Sequence, residues 1–118
     1  MKRDESVYLR HILDAIAKID SYLQGVNEAD FHLHSLVQDG VIRQLEIIGE
    51  AVKRVSTQLR NQQPQVPWQD VAGMRDKLIH HYFGVDLEKV WLTTKEDLPG
   101  LKAAVIELLQ SVLAGPID

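Results

Sequence analysis

Apolar residues recur at three- and four-residue steps along most of the chain, and this spacing places them on one face of a helix. The first such stretch runs from Tyr8 to Gln24. Its apolar positions are Leu9, Ile12, Leu13, Ile16, Ile19 and Leu23. Asp4 or Ser6 is suited to cap the start of this predicted helix, and Gly25 is suited to end it.

A longer apolar stripe predicts a second helix after a turn at Asn27 to Asp30. Its members are Val37, Val41, Leu45, Ile48, Val52, Val55 and Leu59. Gly40 and Gly49 interrupt this helix. Because glycine inside a helix costs about 1 kcal/mol relative to alanine, each glycine predicts a bend or a close contact with another helix. Two prolines in the segment from Asn61 to Trp68 end the helix.

The rest of the chain predicts three further helical segments. The first runs from about Gln69 to His81, and the second begins after Asp86, a good N-cap residue. The third spans about Leu101 to Leu113, after a kink at Asp97 to Leu101. The pattern predicts no substantial strand, and the sequence shows no repeat or low-complexity tract. We therefore predict an all-α fold, with residues 1–118 forming a single domain of up-and-down helices.

The composition narrows the chemistry that this domain can perform. The 118 residues are 45% apolar and 25% charged, which suits one soluble core. The absence of cysteine excludes disulfides, zinc fingers, thiol catalysis and iron–sulfur clusters. The stretch from Met1 to Arg10 is charged and lacks the apolar region of a signal peptide, and no apolar run approaches the ~18 residues of a membrane span. We expect a cytoplasmic protein.

The charge is unevenly distributed along the chain. The net charge is −4, which argues against a protein that coats nucleic acid non-specifically. The stretch from Gly40 to Tyr82 nevertheless carries a charge of +2, so the remainder carries −6. Two interpretations of this stretch stay open: a small basic patch, or charges scattered over a solvated helix face.

The segment RDKLIHHY, from Arg75 to Tyr82, holds an arginine, two adjacent histidines and a tyrosine. Histidine exchanges protons near neutral pH, and arginine offers a planar, permanently charged fork to a phosphate. Arg75 and His80 together suit the cleavage of RNA by its own 2′-hydroxyl. The histidine would move a proton, and the arginine would stabilise the charge on the phosphorane. This chemistry requires no cofactor.

Helix geometry complicates the pairing of these two residues. Residues five apart on a straight helix point about 140° away from each other. Arg75 and His80 therefore converge only if the arginine side chain curls round, if the helix ends near His81, or if a second copy supplies partner groups. The spacing by itself leaves a structural and a catalytic cluster equally open. His32 and His34, two residues apart, are poor joint metal ligands, and we predict no metal site.

RDKLIHHY also has the form R-x4-H-x-Y, which resembles the signature of HEPN-domain proteins. VIRQLEIIGEAVKRVS, from Val41 to Ser56, resembles the second helix of the HepT-like branch of toxin ribonucleases. PWQDVAGMRDKLIHHYFGVDLEKVW, from Pro67 to Trp91, resembles the active-site helix of that branch and the segment after it. The terminal helix from Leu98 also fits, so the resemblance covers nearly the whole chain.

The resemblance implies a HEPN-like bundle of four or five helices that forms a homodimer, with the R-x4-H-x-Y segments facing one another in a cleft. It implies a metal-independent endoribonuclease that acts as the toxin of a type VII toxin–antitoxin system. The expected partners are an RNA substrate and an MntA-type nucleotidyltransferase antitoxin, which would join the dimer or a larger complex. By residue, Arg75 would stabilise the transition state, His80 would be the general acid or base, and Tyr82 would accept AMP.

One residue departs from the family pattern. Asp76 stands where the family commonly has asparagine, and a carboxylate repels a phosphate to which an amide can donate. Asp76 would instead pair with Arg75 or orient a histidine, so Asp76 and the neighbouring His81 are candidate supporting residues. Asp76 and the acidic net charge also favour an alternative, a non-catalytic adaptor subunit that binds a nucleotide or the nucleotidyltransferase. A purely structural helical bundle is a third hypothesis.

Overall fold

A computed structural model describes residues 4–74, 76, 79–80 and 84–115, with residues 79–80 described by their backbone. The helices are α1 (Ser6–Leu23), α2 (Glu28–Leu33), α3 (Ser35–Lys53), α4 (Thr57–Arg60), α5 (Trp68–Ala72), α6 (Leu87–Leu92) and α7 (Leu98–Ala114). A π-helical turn, Thr93–Asp97, joins α6 to α7. Two short strands, β1 (Ile79–His80) and β2 (Gly84–Val85), form an antiparallel ladder. The predicted helical architecture is confirmed over the described residues, except that this small ladder was not expected.

Helix α1 follows the predicted pattern. The apolar residues on its inner face are buried, and Gly25 has the positive φ of +75° that suits the residue after a helix end. The carboxylate of Asp4 accepts hydrogen bonds from the hydroxyl of Ser6, at 2.6 Å, and from its backbone N–H, at 3.0 Å. These two bonds favour the charged form and lower the pKa of Asp4.

The predicted long second helix is divided into separate pieces. Asn27 caps the short α2 by accepting the backbone N–H of Asp30 at 2.8 Å. The extended backbone of His34, at φ −113° and ψ 92°, separates α2 from α3. Helix α3 then ends at Lys53, so the prediction of one continuous helix as far as Leu59 was wrong.

Ser56 explains why the chain leaves α3 and starts a new helix. Its hydroxyl accepts the backbone N–H of Leu59 at 3.2 Å and so caps α4. Its own backbone N–H donates to the carboxylate of Glu5 at 2.6 Å, which ties this break to the start of α1. The apolar stripe conceals the break because Val55, between the two helices, and Leu59, in α4, are both buried.

The hydrophobic core lies between α1, α3 and α7, and α5 packs on α3. The side chains that are almost completely buried are Phe31, Leu9, Ile12, Ile16, Ile19, Leu45, Ile48, Leu108, Val41, Val52, Val90 and Val105. Phe31 is the buried residue of α2, and its ring lies 5.4 Å from the ring of Trp91 in α6. This contact attaches the short α2 to the second half of the chain.

The predicted kink at Asp97 to Leu101 lies inside a continuous helical run from Leu87 to Ala114, and the irregularity is a π-helical turn that ends where the kink was expected to begin, Thr93–Asp97. Pro99 cannot donate a backbone hydrogen bond, and the irregular turn before it accommodates this loss. The Thr93 hydroxyl donates to the Lys89 carbonyl at 2.8 Å. As predicted, Asp86 caps the start of this run, and it accepts the N–H of Lys89 at 3.1 Å. In the described part of the chain, no helix combines the length and apolar character that a bilayer span requires.

Candidate active site

Helix α5 leads into the R-x4-H-x-Y segment, and α3 determines where α5 lies. A Cβ atom placed on Gly49 of α3 would lie 3.3 Å from the carbonyl oxygen of Val71 and 3.4 Å from that of Ala72. The last turn of α5 therefore packs closely against the backbone of α3, and a side chain at position 49 would require this backbone to move slightly. The prediction of a close helix contact at Gly49 is confirmed.

Trp68 holds the other end of α5 against the core. Its indole N–H donates to the carbonyl oxygens of Arg60, at 3.1 Å, and Gln63, at 2.9 Å, while the side chain is buried. Met74, two residues after α5 ends, is also buried. The chain therefore packs against the core as far as Met74, the residue before Arg75.

The prediction of a helix from Gln69 to His81 was wrong at Ile79 and His80, which form β1. Helix α5 ends at Ala72, and β1 begins at Ile79. Asp76 still has a helical backbone, and its N–H donates to the Gly73 carbonyl at 3.0 Å. The backbone is therefore helical at Asp76 and extended at Ile79 and His80, so the 140° separation calculated for a straight helix does not apply to His80.

The β1–β2 ladder returns the chain from the R-x4-H-x-Y segment to α6. His80 pairs with Gly84, and Ile79 pairs with Val85. Gly84 has φ +82°, a conformation that side chains with a Cβ rarely adopt. The ladder joins residues that are close in sequence, but the spacing of the apolar residues fits a helix and therefore did not predict it.

The structure places the predicted site residues as follows. His80 lies in β1, and Asp76 is exposed. Arg75, His81 and Tyr82 lie outside the described residues. The convergence of Arg75 and His80, their catalytic roles and the supporting role of Asp76 therefore stay predictions. Over the residues that the structure describes, no three His, Asp or Glu side chains are grouped to hold a metal ion, and metal-independent chemistry likewise stays a prediction.

A groove of about 450 Å³ adjoins this segment at Met74. Apolar residues from the α5 region and α7, among them Val66, Val71 and Leu101, form part of its lining. The charged residues that line it are Asp70, Lys89, Glu96 and Asp97. Three acids against one lysine make this groove a poor surface for the phosphate backbone of RNA.

A second cleft, of about 420 Å³, lies on the face shared by α1 and α3 and was not predicted. His11 contacts the ring of Tyr8 edge to face, with centroids 6.4 Å apart. Helix α3 contributes four charged residues to the lining: Arg43, Glu46, Glu50 and Arg54. The available signal was the helical spacing of these four residues, which places them along one stripe.

We expect opposite effects when the two glycines of α3 are replaced by alanine. At Gly40 the added Cβ meets the ring of Tyr22 at 3.2 Å, and this partly exposed side chain can move. Gly40→Ala should therefore gain up to about 1 kcal/mol from helix propensity. At Gly49 the added Cβ meets backbone carbonyls, and we expect Gly49→Ala to cost about 1 kcal/mol net, because overpacking outweighs propensity.

Urea denaturation of the two variants and the unsubstituted chain measures this difference. Equal or greater stability of Gly49→Ala relative to Gly40→Ala would show that α5 yields easily and does not depend on this contact.

Comparison of the sequence with known proteins identifies a matching family and several similar proteins. The model of a family described as "Ribonuclease HepT-like" matches residues 12–108. A Thermococcus cleftensis protein named "Probable ribonuclease HepT" is 46% identical over 102 residues, which cover 86% of this chain and 93% of that protein. A provisionally named RNase of Caldanaerobacter subterraneus subsp. tengcongensis is 42% identical over 103 residues, 87% of this chain and 92% of that protein.

A Methanocaldococcus jannaschii protein, whose name joins a gamma-glutamylcyclotransferase to a provisionally assigned RNase, is also similar. It is 41% identical over 112 residues, which cover 95% of this chain but 50% of that protein. The chain thus spans about half the length of this relative. No solved structure is similar enough to count as a match.

Proposed function

Since the chain belongs to the HepT-like ribonuclease family, we propose that it is an endoribonuclease that cleaves RNA through the R-x4-H-x-Y segment. The observation that carries this proposal is the family match over residues 12–108, which includes the whole segment from Arg75 to Tyr82. The relatives named as ribonucleases support the same activity. The seating of α5 on α3 supports it further, because catalytic groups act efficiently when a rigid element positions them.

The proposed reaction is a transfer within the RNA chain. His80 accepts the proton of a ribose 2′-hydroxyl, and the 2′-oxygen attacks the adjacent phosphorus while the bond from phosphorus to the 5′-oxygen breaks. The leaving 5′-oxygen takes up a proton from an imidazolium, so the products are a 2′,3′-cyclic phosphate and a 5′-hydroxyl. Arg75 stabilises the negative charge that develops on the phosphoryl oxygens. No metal ion is required at any step.

RNA cleavage by the purified chain in the presence of a metal chelator tests this proposal. The expected products are fragments that end in a cyclic phosphate, which mass spectrometry of a defined oligonucleotide identifies. A folded chain that leaves all RNA substrates intact would contradict the proposal.

The proposed biological role is that of a toxin neutralised by AMP transfer from an MntA-type nucleotidyltransferase to Tyr82. An attached AMP adds a negatively charged phosphodiester and a bulky nucleoside. Next to Arg75, this group would occupy the place of the scissile phosphate by both charge and volume. Inhibition would then require no refolding of the chain.

Co-expression of the chain with an MntA-type nucleotidyltransferase is expected to add the mass of one or more AMP units. Peptide mapping should place the first unit on Tyr82, and Tyr82→Phe should remove it there. Tyr8 and Tyr22, which lie on α1, are internal controls for unspecific transfer. An unmodified chain, or modification that persists on the Tyr82→Phe variant at the same level, would overturn the assignment.

A second candidate function is a non-catalytic adaptor that binds a nucleotide or the nucleotidyltransferase. The exposed carboxylate of Asp76, beside the arginine of the motif, and the net charge of −4 favour it. Stoichiometric binding of ATP or of the nucleotidyltransferase without RNA turnover would be its characteristic result.

A further inference from the structure

The groove of about 450 Å³ beside Met74 has no role in the ribonuclease proposal as it stands. Residues of the α5 region line one part of it, and residues of the helical run from α6 to α7 line the rest. We call it the α5–α7 groove. Its volume lies within the range of pockets that bind small ligands or parts of larger ones.

Gly100 of α7 lines the α5–α7 groove, and contacts within the chain do not explain why this residue is glycine. Its backbone is helical, and a Cβ atom placed on it would meet no heavy atom of the described structure within 4 Å. Glycine inside a helix is less favourable than alanine, as noted for α3. Glycine is common where a ligand approaches the backbone closely, so the open space at Gly100 points to a molecule that binds there.

The lining of the groove combines apolar side chains with carboxylates. Val71, Met74 and Leu101 supply apolar surface, and the thioether of methionine makes favourable contacts with aromatic rings. The exposed side chains of Glu96 and Asp97 come from the π-helical turn, a type of irregularity that often occurs at functional sites. The groove therefore suits a flat ring that has N–H groups at its edge.

We propose that the α5–α7 groove binds a guanine base of a single-stranded RNA substrate, an inference that rests on the proposed function. Guanine presents two neighbouring N–H donors, at N1 and at the 2-amino group, and one carboxylate can accept both. Glu96 or Asp97 supplies this carboxylate. The ammonium group of Lys89, which also lines the groove, is a donor for the guanine O6. Adenine, cytosine and uracil present no such pair of donors on this edge.

The position of the groove fits a base whose phosphate lies at the motif. The acidic lining disfavours a phosphate inside the groove, whereas a base carries no charge. Met74, which lines the groove, directly precedes Arg75, the residue proposed to stabilise the phosphoryl oxygens. Proteins that recognise RNA by sequence commonly bind unpaired bases in this way, through their edges and faces. A base in the groove and its phosphate beside Arg75 would satisfy both charge preferences.

Binding of 2′-O-methyl RNA tests the inference without cleavage, because this RNA lacks the attacking hydroxyl. Fluorescence anisotropy at low salt compares the pentamers UUGUU and UUAUU and a third pentamer with inosine at the centre. We expect UUGUU to bind about tenfold more tightly than UUAUU, the usual contribution of a bidentate contact to a base. Inosine lacks the 2-amino group, so its pentamer should lose most of this preference.

The double variant Glu96→Gln/Asp97→Asn should bind UUGUU and UUAUU equally, because neither amide can accept both N–H groups of guanine. Glu88→Gln is the matched control, since Glu88 is an exposed residue of α6 outside the groove lining. This control should keep the preference for guanine. Equal affinity of the unsubstituted chain for the two pentamers, or a preference that persists in the double variant, would overturn the inference.

Gly100→Ala separates a role in binding from a role in folding. The added methyl group enters the groove without meeting the chain, so this variant should have a higher urea midpoint and yet bind UUGUU at least about fivefold more weakly. Gly40→Ala, on α3 and outside the groove, should gain stability and keep its affinity. Unchanged binding by Gly100→Ala would show that the occupant does not approach α7 and would contradict the proposal.

Cleavage of unmodified RNA of random sequence distinguishes this inference from the proposed function. Cleavage without a preference for guanine near the cut removes the base site and leaves the ribonuclease. Selective binding of UUGUU without cleavage of any RNA does the opposite. A chain that binds none of the pentamers overturns the inference, and the cleavage assay then decides the proposed function by itself.

Discussion

Replacing His80 with alanine should reduce RNA cleavage by about 10²- to 10⁴-fold, the usual contribution of a general acid or base. Without the imidazole, no side chain of this motif other than the neighbouring His81 titrates near neutral pH, so proton transfer to and from the RNA oxygens slows. Arg75→Ala should produce a loss of about 10²- to 10³-fold, typical of a group that stabilises transition-state charge. Initial rates on a defined oligonucleotide with a chelator present measure both effects.

The matched control for His80→Ala is His34→Ala. His34 is exposed at the junction of α2 and α3, and its replacement should leave the cleavage rate unchanged. Expression in a bacterium gives a second measurement, because the unsubstituted chain should arrest growth and the His80→Ala chain should not. Equal cleavage rates for His80→Ala and His34→Ala would contradict the role assigned to His80.

Replacing Phe31 with alanine should lower the free energy of unfolding by about 3–5 kcal/mol. Phe31 is fully buried, and it is the residue through which the six-residue α2 contacts the core. The substitution leaves a cavity beside Trp91 and removes a ring contact at 5.4 Å between α2 and α6. Helix α2 is too short to be stable alone, so we expect it to detach before the rest of the chain unfolds.

Leu33→Ala on the same helix is the control for Phe31→Ala. Leu33 is 82% exposed, so its replacement should change stability by no more than about 0.5 kcal/mol. Urea denaturation followed by circular dichroism and by tryptophan fluorescence measures both variants, and Trp91 should report the loss of the α2 contact. Similar stability of Phe31→Ala and Leu33→Ala would mean that α2 contributes little to the fold.

The start of α1, the cap of α6 and the contact at Gly49 were predictable because each depends on residues close in sequence or on a strong local preference. Asp86 shows this clearly. It accepts the N–H of Lys89, three residues later, as its type and position indicate. Gly49 is similar, since a glycine in a helix interior is costly unless something approaches the backbone closely.

The errors occurred where hydrogen bonds between segments, and not the spacing of apolar residues, decide the backbone path. The apolar period continues from Val52 through Val55 to Leu59, yet the bond between the Ser56 N–H and Glu5, from the start of α1, lies within a break of the helix. The residues after α5 have a helical pattern too, but pairing with β2 makes Ile79 and His80 a strand. The spacing of apolar residues predicts which residues are buried. It does not predict where the helix that carries them breaks.

Some features of the candidate site were predictable from the sequence, and others were not. The R-x4-H-x-Y motif was visible in the sequence because it consists of residue types whose chemistry is local, and the family match includes it. The cleft that joins His11 and Tyr8 of α1 to the charges of α3 was not visible, because α1 and α3 are adjacent only in the folded chain.

The sequence by itself determined that this chain is helical and which faces of its helices are apolar, and it predicts which residues carry the proposed chemistry. These properties follow from side-chain type and from spacing along a helix. Only the tertiary structure decided where α3 ends, how α5 packs on α3, and that His80 lies in a strand. The end of α3 and the position of α5 depend on contacts between segments that are distant in the chain, and the strand at His80 depends on its pairing with Gly84. The free energy of these contacts outweighs local helix preference.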